Sequence, residues 1–229
     1  MNNTKLITPH HNIFPKAVSD LLKALYSHGF FNESMFVGSW VMLLYKAAFG
    51  ITYELSTHDI DFAVAFPRHG NTHQADLEKI ITDLGYSPVP MLSGVRKYSR
   101  EAFSVEFMIQ RKGGRNDDYV LVRQWNVIAE PLPFLDILFN FPFIAGFGEF
   151  CVRAPIPEAY FFQKLIVASK RSNQGKRDKD YDQCAIISRH LDQDQLTRIV
   201  KSQKISSKYK NALKKSCRII DFPPQNLGL

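Results

Sequence analysis

Apolar residues recur with a helical period between Pro15 and His28, at Val18, Leu21, Leu22 and Leu25, and Gly29 ends the segment. A short apolar run, Met35-Phe36-Val37, gives way to Gly38-Ser39. Trp40 to Phe49 reads as a buried helix closed by Gly50. Ile60 to Phe66 reads as a strand closed by Pro67. Asn71 to Leu84 reads as a second amphipathic helix, with Ala75, Ile80, Ile81 and Leu84 available for its inner face and Gly85 behind it.

The middle of the chain is more β-like. Phe103 to Gln110 predicts a strand, Gly113 to Asp117 a turn, and Tyr119 to Trp125 a partner strand that completes a hairpin. Glu130 to Gly148, rich in Pro and Phe, matches no single template. After Pro155-Ile156-Pro157 the pattern turns helical, with a loop near Ser172 to Gly175, and runs to Arg218. Pro223-Pro224 opens what reads as a loose tail. The expected organisation is an α/β part over residues 1–153 followed by a helical part over residues 154–229.

Composition narrows the class. A chain of 229 residues with 45% hydrophobic content can bury a substantial core. Cys151, Cys184 and Cys217 are far apart, odd in number and without ligand spacing, which points to a reducing compartment and away from a disulfide framework. The first residues lack the apolar core of a signal peptide. The most apolar stretch, Leu132 to Phe147, is interrupted by Pro133, Pro142 and Gly146 and cannot span a bilayer as one helix. A soluble, cytoplasmic protein is expected. The net charge of +7 is uneven: between Lys164 and Arg218, 15 Lys and Arg face 5 Asp. Such a segment attracts phosphates, on a nucleotide or a nucleic acid, or is a set of solvated helix faces.

Candidate chemistry begins at His58-Asp59-Ile60-Asp61-Phe62-Ala63-Val64. In a strand, Asp59 and Asp61 share one face while Ile60, Phe62 and Val64 take the other. Two carboxylates side by side on an apolar strand repel one another unless a cation lies between them. Mg²⁺ suits them: it takes oxygen ligands and completes its shell with water and substrate phosphate. In Phe103-Ser104-Val105-Glu106-Phe107, Val105 and Phe107 face the core and Glu106 faces away. On a neighbouring strand it becomes a third carboxylate, and three acids can hold two ions. Gly38 lets a phosphate approach the backbone closely, and Ser39 can donate to it at a helix start or simply cap that helix.

Taken in order, Val37-Gly38-Ser39, Asp59-Ile60-Asp61 and Glu106 resemble the nucleotidyltransferase superfamily typified by DNA polymerase β. That pattern is a hydrophobic residue, Gly and Gly or Ser, then Asp-hydrophobic-Asp, then a third acid. Here the third acid is Glu, and the gap between Ser39 and Asp59 is longer than in many members. The resemblance implies an α+β nucleotidyltransferase fold, a mixed sheet with helices on one side, followed by a C-terminal helical part. It also implies Mg²⁺ or Mn²⁺ held by Asp59, Asp61 and Glu106.

The helical part carries Lys164-Leu165 and Lys179-Asp180-Tyr181-Asp182-Gln183. These resemble a bacterial group related to the abortive-infection and toxin–antitoxin nucleotidyltransferases. That likeness implies that Lys164 and Lys179 face a triphosphate, a task suited to a mobile point charge. The implied activity is transfer of a nucleoside monophosphate from NTP to a hydroxyl of RNA, a protein or a small molecule. The alternative is a nucleotide-sensing or partner-docking module of the same fold without turnover. His58 and Trp40 read as structural, and Arg68 is a weaker candidate for phosphate.

Overall fold

The computed structural model describes residues 4–6, 13–66, 74–111 and 118–229. Arg68 and the turn expected at Gly113 to Asp117 lie outside them.

The first helix, α1 (Lys16–Ser27), buries Val18, Leu21, Leu22 and Leu25, and Gly29 behind it adopts φ 72°. Strand β2 (Met35–Val37) leads through Gly38 and Ser39 into α2 (Val41–Phe49), which ends on Gly50 at φ 71°. Strand β3 (Asp59–Val64) follows. Helix α3 (Leu77–Asp83) is shorter than the sequence pattern predicts. The Asp76 carboxylate accepts from the Lys79 backbone N–H and fixes the start of the helix there.

Strands β4 (Ser87–Pro90), β5 (Arg96–Arg100) and β6 (Phe103–Gln110) continue a mixed sheet ordered β2-β3-β6-β5-β4. β6 is the hub. β3 runs parallel along one edge of it. On the other edge its N-terminal half pairs with β5 and its C-terminal half with β8 (Val127–Leu132), which is parallel.

The hairpin expected between Phe103–Gln110 and Tyr119–Trp125 does not form. The later strand, β7 (Val120–Val122), spans three residues and pairs with β8. Both edges of β6 are already taken, and residues 123–126 turn immediately into β8.

Glu130 to Gly148 resolves into the end of β8, helix α4 (Leu135–Asn140) and strand β9 (Pro142–Gly146). With β1 (Thr4–Leu6) and β10 (Cys151–Pro155), β9 forms a second, three-stranded sheet. Helices α5 (Pro157–Ala168), α6 (Gln174–Ile187), α7 (Gln193–Ser202) and α8 (Ser207–Ile219) complete the chain. The tail after Pro223 is not loose. Leu227 is buried in a short 3₁₀ turn, and Phe222 packs edge-on against Phe161 at 5.0 Å, so apolar burial holds the segment.

The main core lies on the sheet face carrying Ile60, Phe62, Val64, Val105 and Phe107, beneath α1 and α2. The opposite face holds a small cluster of Met35, Val37 and Ala63 under Leu135 and Leu138 of α4, and beside that cluster the carboxylates emerge. Among the described residues, no helix is long and apolar enough to cross a membrane. The three cysteines are free thiols.

Candidate active site

Alternation in β3 puts Ile60 and Phe62 in the core and turns Asp59 and Asp61 the other way. The parallel register sets Asp61 opposite Glu106 and Asp59 opposite Ser104. The antiparallel register on the other side sets Asp61 opposite Val37, so the chain turns at Gly38 directly beside the Asp61 side chain. A β-carbon on residue 38 would fall 1.9 Å from Asp61 Oδ2, and the backbone there has φ 68°. Only glycine fits on both counts.

These residues open into a cavity of about 180 Å³. Its acidic wall is Asp59, Asp61, Glu106 and Glu130; its basic wall, from the helical segment, is Lys164, Arg171, Lys176 and Lys179. Six of the seven residues singled out in the sequence therefore border one cavity: Ser39, Asp59, Asp61, Glu106, Lys164 and Lys179. The seventh, Gly38, lines an adjoining cavity of about 380 Å³ that also reaches Asp61 and Lys164.

The basic wall is anchored by Asp180, which is 3% exposed. Its Oδ1 accepts from Lys164 Nζ at 2.6 Å and its Oδ2 from Arg171 Nε. Lys164 is thus committed to a buried carboxylate as well as facing the cavity. A second buried chain ties the two walls. Tyr160 donates its hydroxyl to Gln183 Oε1 at 2.7 Å, and Gln183 Nε2 donates to Ser39 Oγ at 2.9 Å. Ser39 therefore spends one acceptor position on α6 and keeps its own proton available to donate.

On the acidic wall, Glu106 Oε1 accepts from Lys97 Nζ of β5. Burial lowers the Lys97 pKa, but the hydrogen bond and charge of Glu106 outweigh that and hold it above the ordinary lysine value. Asp61 keeps partial exposure toward the cavity, yet enclosure by protein is the largest influence on its carboxyl. With the charge of Glu106 added, its pKa rises to about 7, against the opposing pull of Lys164. Lys179 is held below the ordinary lysine value by burial and then by its neighbour Lys164.

The donor set is the right type for a hard divalent cation: carboxylate oxygens on adjacent strands, one of them resisting ionisation because it is enclosed by protein and lies beside Glu106. Among the described residues, however, no three His, Cys, Asp or Glu side chains are grouped so as to hold an ion. The acids are neighbours, and one Glu106 oxygen is turned to Lys97.

Sequence reasoning missed Lys97, Glu130, Arg171 and Lys176. Lys97 sits in Arg96-Lys97-Tyr98-Ser99-Arg100, a strand with a single buried position and no apolar alternation to reveal it. Glu130 had a signal: Val127, Ala129 and Pro131 are buried and alternate with it. His58 lies near Phe103, at 6.5 Å between rings, and Trp40 is buried against the same residue at 5.8 Å.

A nucleotidyltransferase family model matches residues 16–205. The chain belongs to that nucleotidyltransferase family. A crystal structure of an antigenic nucleotidyltransferase-like protein from Paracoccidioides brasiliensis is similar to it at 13% sequence identity with a TM-score of 0.49, over 92% of this chain and 93% of that one. No curated protein matches the sequence.

Proposed function

We propose that the protein transfers a nucleoside monophosphate from a nucleoside triphosphate to a hydroxyl acceptor in the cavity between the Asp59–Asp61–Glu106 wall and the Lys164–Lys179 wall. The observation that carries this reading is a cavity of about 180 Å³ that Asp59, Asp61, Glu106 and Glu130 border together with four cationic side chains, two of them held by Asp180, within a chain of this family. A triphosphate complements the basic wall, and a cation complements the acidic one.

In this reading, Lys179, Lys176 and Arg171 bind the β- and γ-phosphates, and Ser39 Oγ–H donates to a phosphate oxygen beside Gly38. Lys164, fixed by Asp180, stands beside Asp61 and offsets its charge. Asp59 and Asp61, with Glu106 completing the set, would hold Mg²⁺ or Mn²⁺. Held there, such an ion would supply charge neutralisation on the phosphates and electrophilic activation of the α-phosphorus. The acceptor oxygen forms a bond to the α-phosphorus, the bond from that phosphorus to the α,β-bridging oxygen breaks, and pyrophosphate leaves. The acceptor proton passes to Glu106 Oε2, since Oε1 is engaged with Lys97.

The test is incubation of the protein with each of four α-³²P-labelled NTPs, Mg²⁺ or Mn²⁺ and a cell extract. Label should appear on an acceptor and vanish with Asp61→Asn. No label from any nucleotide, with wild type and variant alike, would sink the transferase.

One observation favours a second reading. The Lys97 ammonium already neutralises Glu106, as in a module that binds nucleotide without turning it over. Calorimetric NTP binding with no product from any acceptor would select that reading.

A further inference from the structure

Resting on the transferase reading, we propose that the acceptor is a single-stranded polynucleotide. Its backbone lies in the cleft between α6 and α8, and its 3′ end passes Tyr209 to reach Asp61.

The larger opening beyond the site is a cleft of about 470 Å³ between these two helices. Lys170, Arg177, Lys208 and Lys215 line it, against Asp178 as the acid. That acid is already shared with Arg177, 3.9 Å away. Lys208 and Lys215 are exposed, and four cations line the cleft against one acid, so it presents net positive charge to solvent.

Lys170 lines this cleft and also the cavity of about 380 Å³ that reaches Asp61, so one residue joins the two openings. At the junction its Nζ lies 5.1 Å from the Tyr209 ring centroid, and Tyr209 meets Phe134 edge-to-face at 4.9 Å. Phe134 holds φ 65°, a conformation aromatic residues rarely adopt. The inner cavity continues with Leu132, Leu138 and Met108 toward Asp61. A row of cations followed by an aromatic corner and a chamber with apolar walls, into which Arg111, Lys164 and Arg171 also reach, matches successive phosphates followed by a terminal nucleotide whose base meets the aromatic corner. An acidic protein would satisfy the cations but has no group that needs the Tyr209–Phe134 corner.

Nucleotide occupies the other side of Asp61, against Lys176 and Lys179, which border the smaller cavity and not this chamber. The 3′ oxygen of the strand then approaches the α-phosphorus from the chamber side. The bond changes are those given above, with pyrophosphate leaving.

The experiment uses the full chain and 5′-fluorescein 12-mers of single-stranded RNA and DNA of one sequence, followed by fluorescence anisotropy. ATP binding is measured separately by calorimetry. Four phosphate contacts predict that affinity falls about 50-fold between 50 and 200 mM salt. The double variant K208E/K215E should weaken oligomer binding at least about tenfold, and Tyr209→Ala about fivefold or more, with ATP binding unchanged. The control K210E/K214E makes the same charge change on α8 outside the cleft and should stay within about threefold. RNA preferred over DNA, or the reverse, identifies the strand; either supports the cleft. Equal loss in both double variants, or no binding of either oligomer at 50 mM salt while ATP binds, overturns the acceptor and leaves the transferase standing. Label from NTP appearing on protein and never on oligomer also overturns it. Oligomer binding without ATP binding defeats the transferase itself, and the acceptor role with it.

Discussion

Asp61 Oδ2 occupies the space above Gly38 in which any larger residue would place its β-carbon, 1.9 Å from where that atom would sit. The turn out of β2 and the carboxylate at the centre of the acidic wall are therefore one packing unit. Gly38→Ala should lower stability by about 2–4 kcal/mol, combining a positive φ with a clash. It should also abolish nucleotide binding, because relief of the clash requires Asp61 to move. Thermal melts and calorimetry on the same sample check both.

Asp61 makes the protein pH-sensitive in a defined direction. Its folded pKa rises from 3.8 to about 7, so between these values the folded state holds the proton more tightly than the unfolded chain. Stability contributed by this group is fully present near pH 4 and is lost as pH rises toward 7, by up to about 4 kcal/mol. Asp61→Asn should flatten that limb of a stability–pH curve measured by urea denaturation. Millimolar Mg²⁺ with ATP should restore stability to wild type at pH 8 and not to the variant.

Lys97→Met leaves Glu106 nearly buried and unpaired, and should cost about 1–3 kcal/mol. It also frees Glu106 Oε1, so that both oxygens of the carboxylate can face a cation. Mn²⁺ affinity, read by titration against electron paramagnetic resonance, should rise in Lys97→Met and fall in the further variant K97M/E106Q. No change in either would detach Glu106 from cation binding.

Asp180→Ala removes the one carboxylate shared by Lys164 and Arg171, and leaves two cations facing each other beside a buried tyrosine. A loss of about 3–5 kcal/mol is expected in denaturant melts. Asp180→Asn, which keeps one carbonyl acceptor for either Lys164 or Arg171, should lose less.

Period-two alternation made β3 and β6 readable, and with them the shared face of Asp59, Asp61 and Glu106. Glycine at the end of an apolar run marked the turn at Gly38. The helix boundaries at Gly29 and Gly50 followed from the same left-handed requirement. What escaped has physical causes. β8 carries Pro131 one residue from its end, which argues against a strand unless the register is known. β5 is largely polar, with one buried position, so it offers no alternation that would announce Lys97 beside Glu106. The three residues of β7 are too few to announce a partner, so proximity in sequence pointed to the wrong one. The tail looked unattached because Phe222 and Leu227 are single apolar residues, and only packing reveals what they touch.

The hydrogen bond from Gln183 to Ser39 spans 144 positions. During synthesis, the three acids leave the ribosome long before the side chains that will oppose them. A nascent chain short of residue 164 has carboxylates with no counter-wall, and one short of residue 183 has no lock on Ser39. The cavity is therefore enclosed on both sides only after α5 and α6 have packed against the sheet.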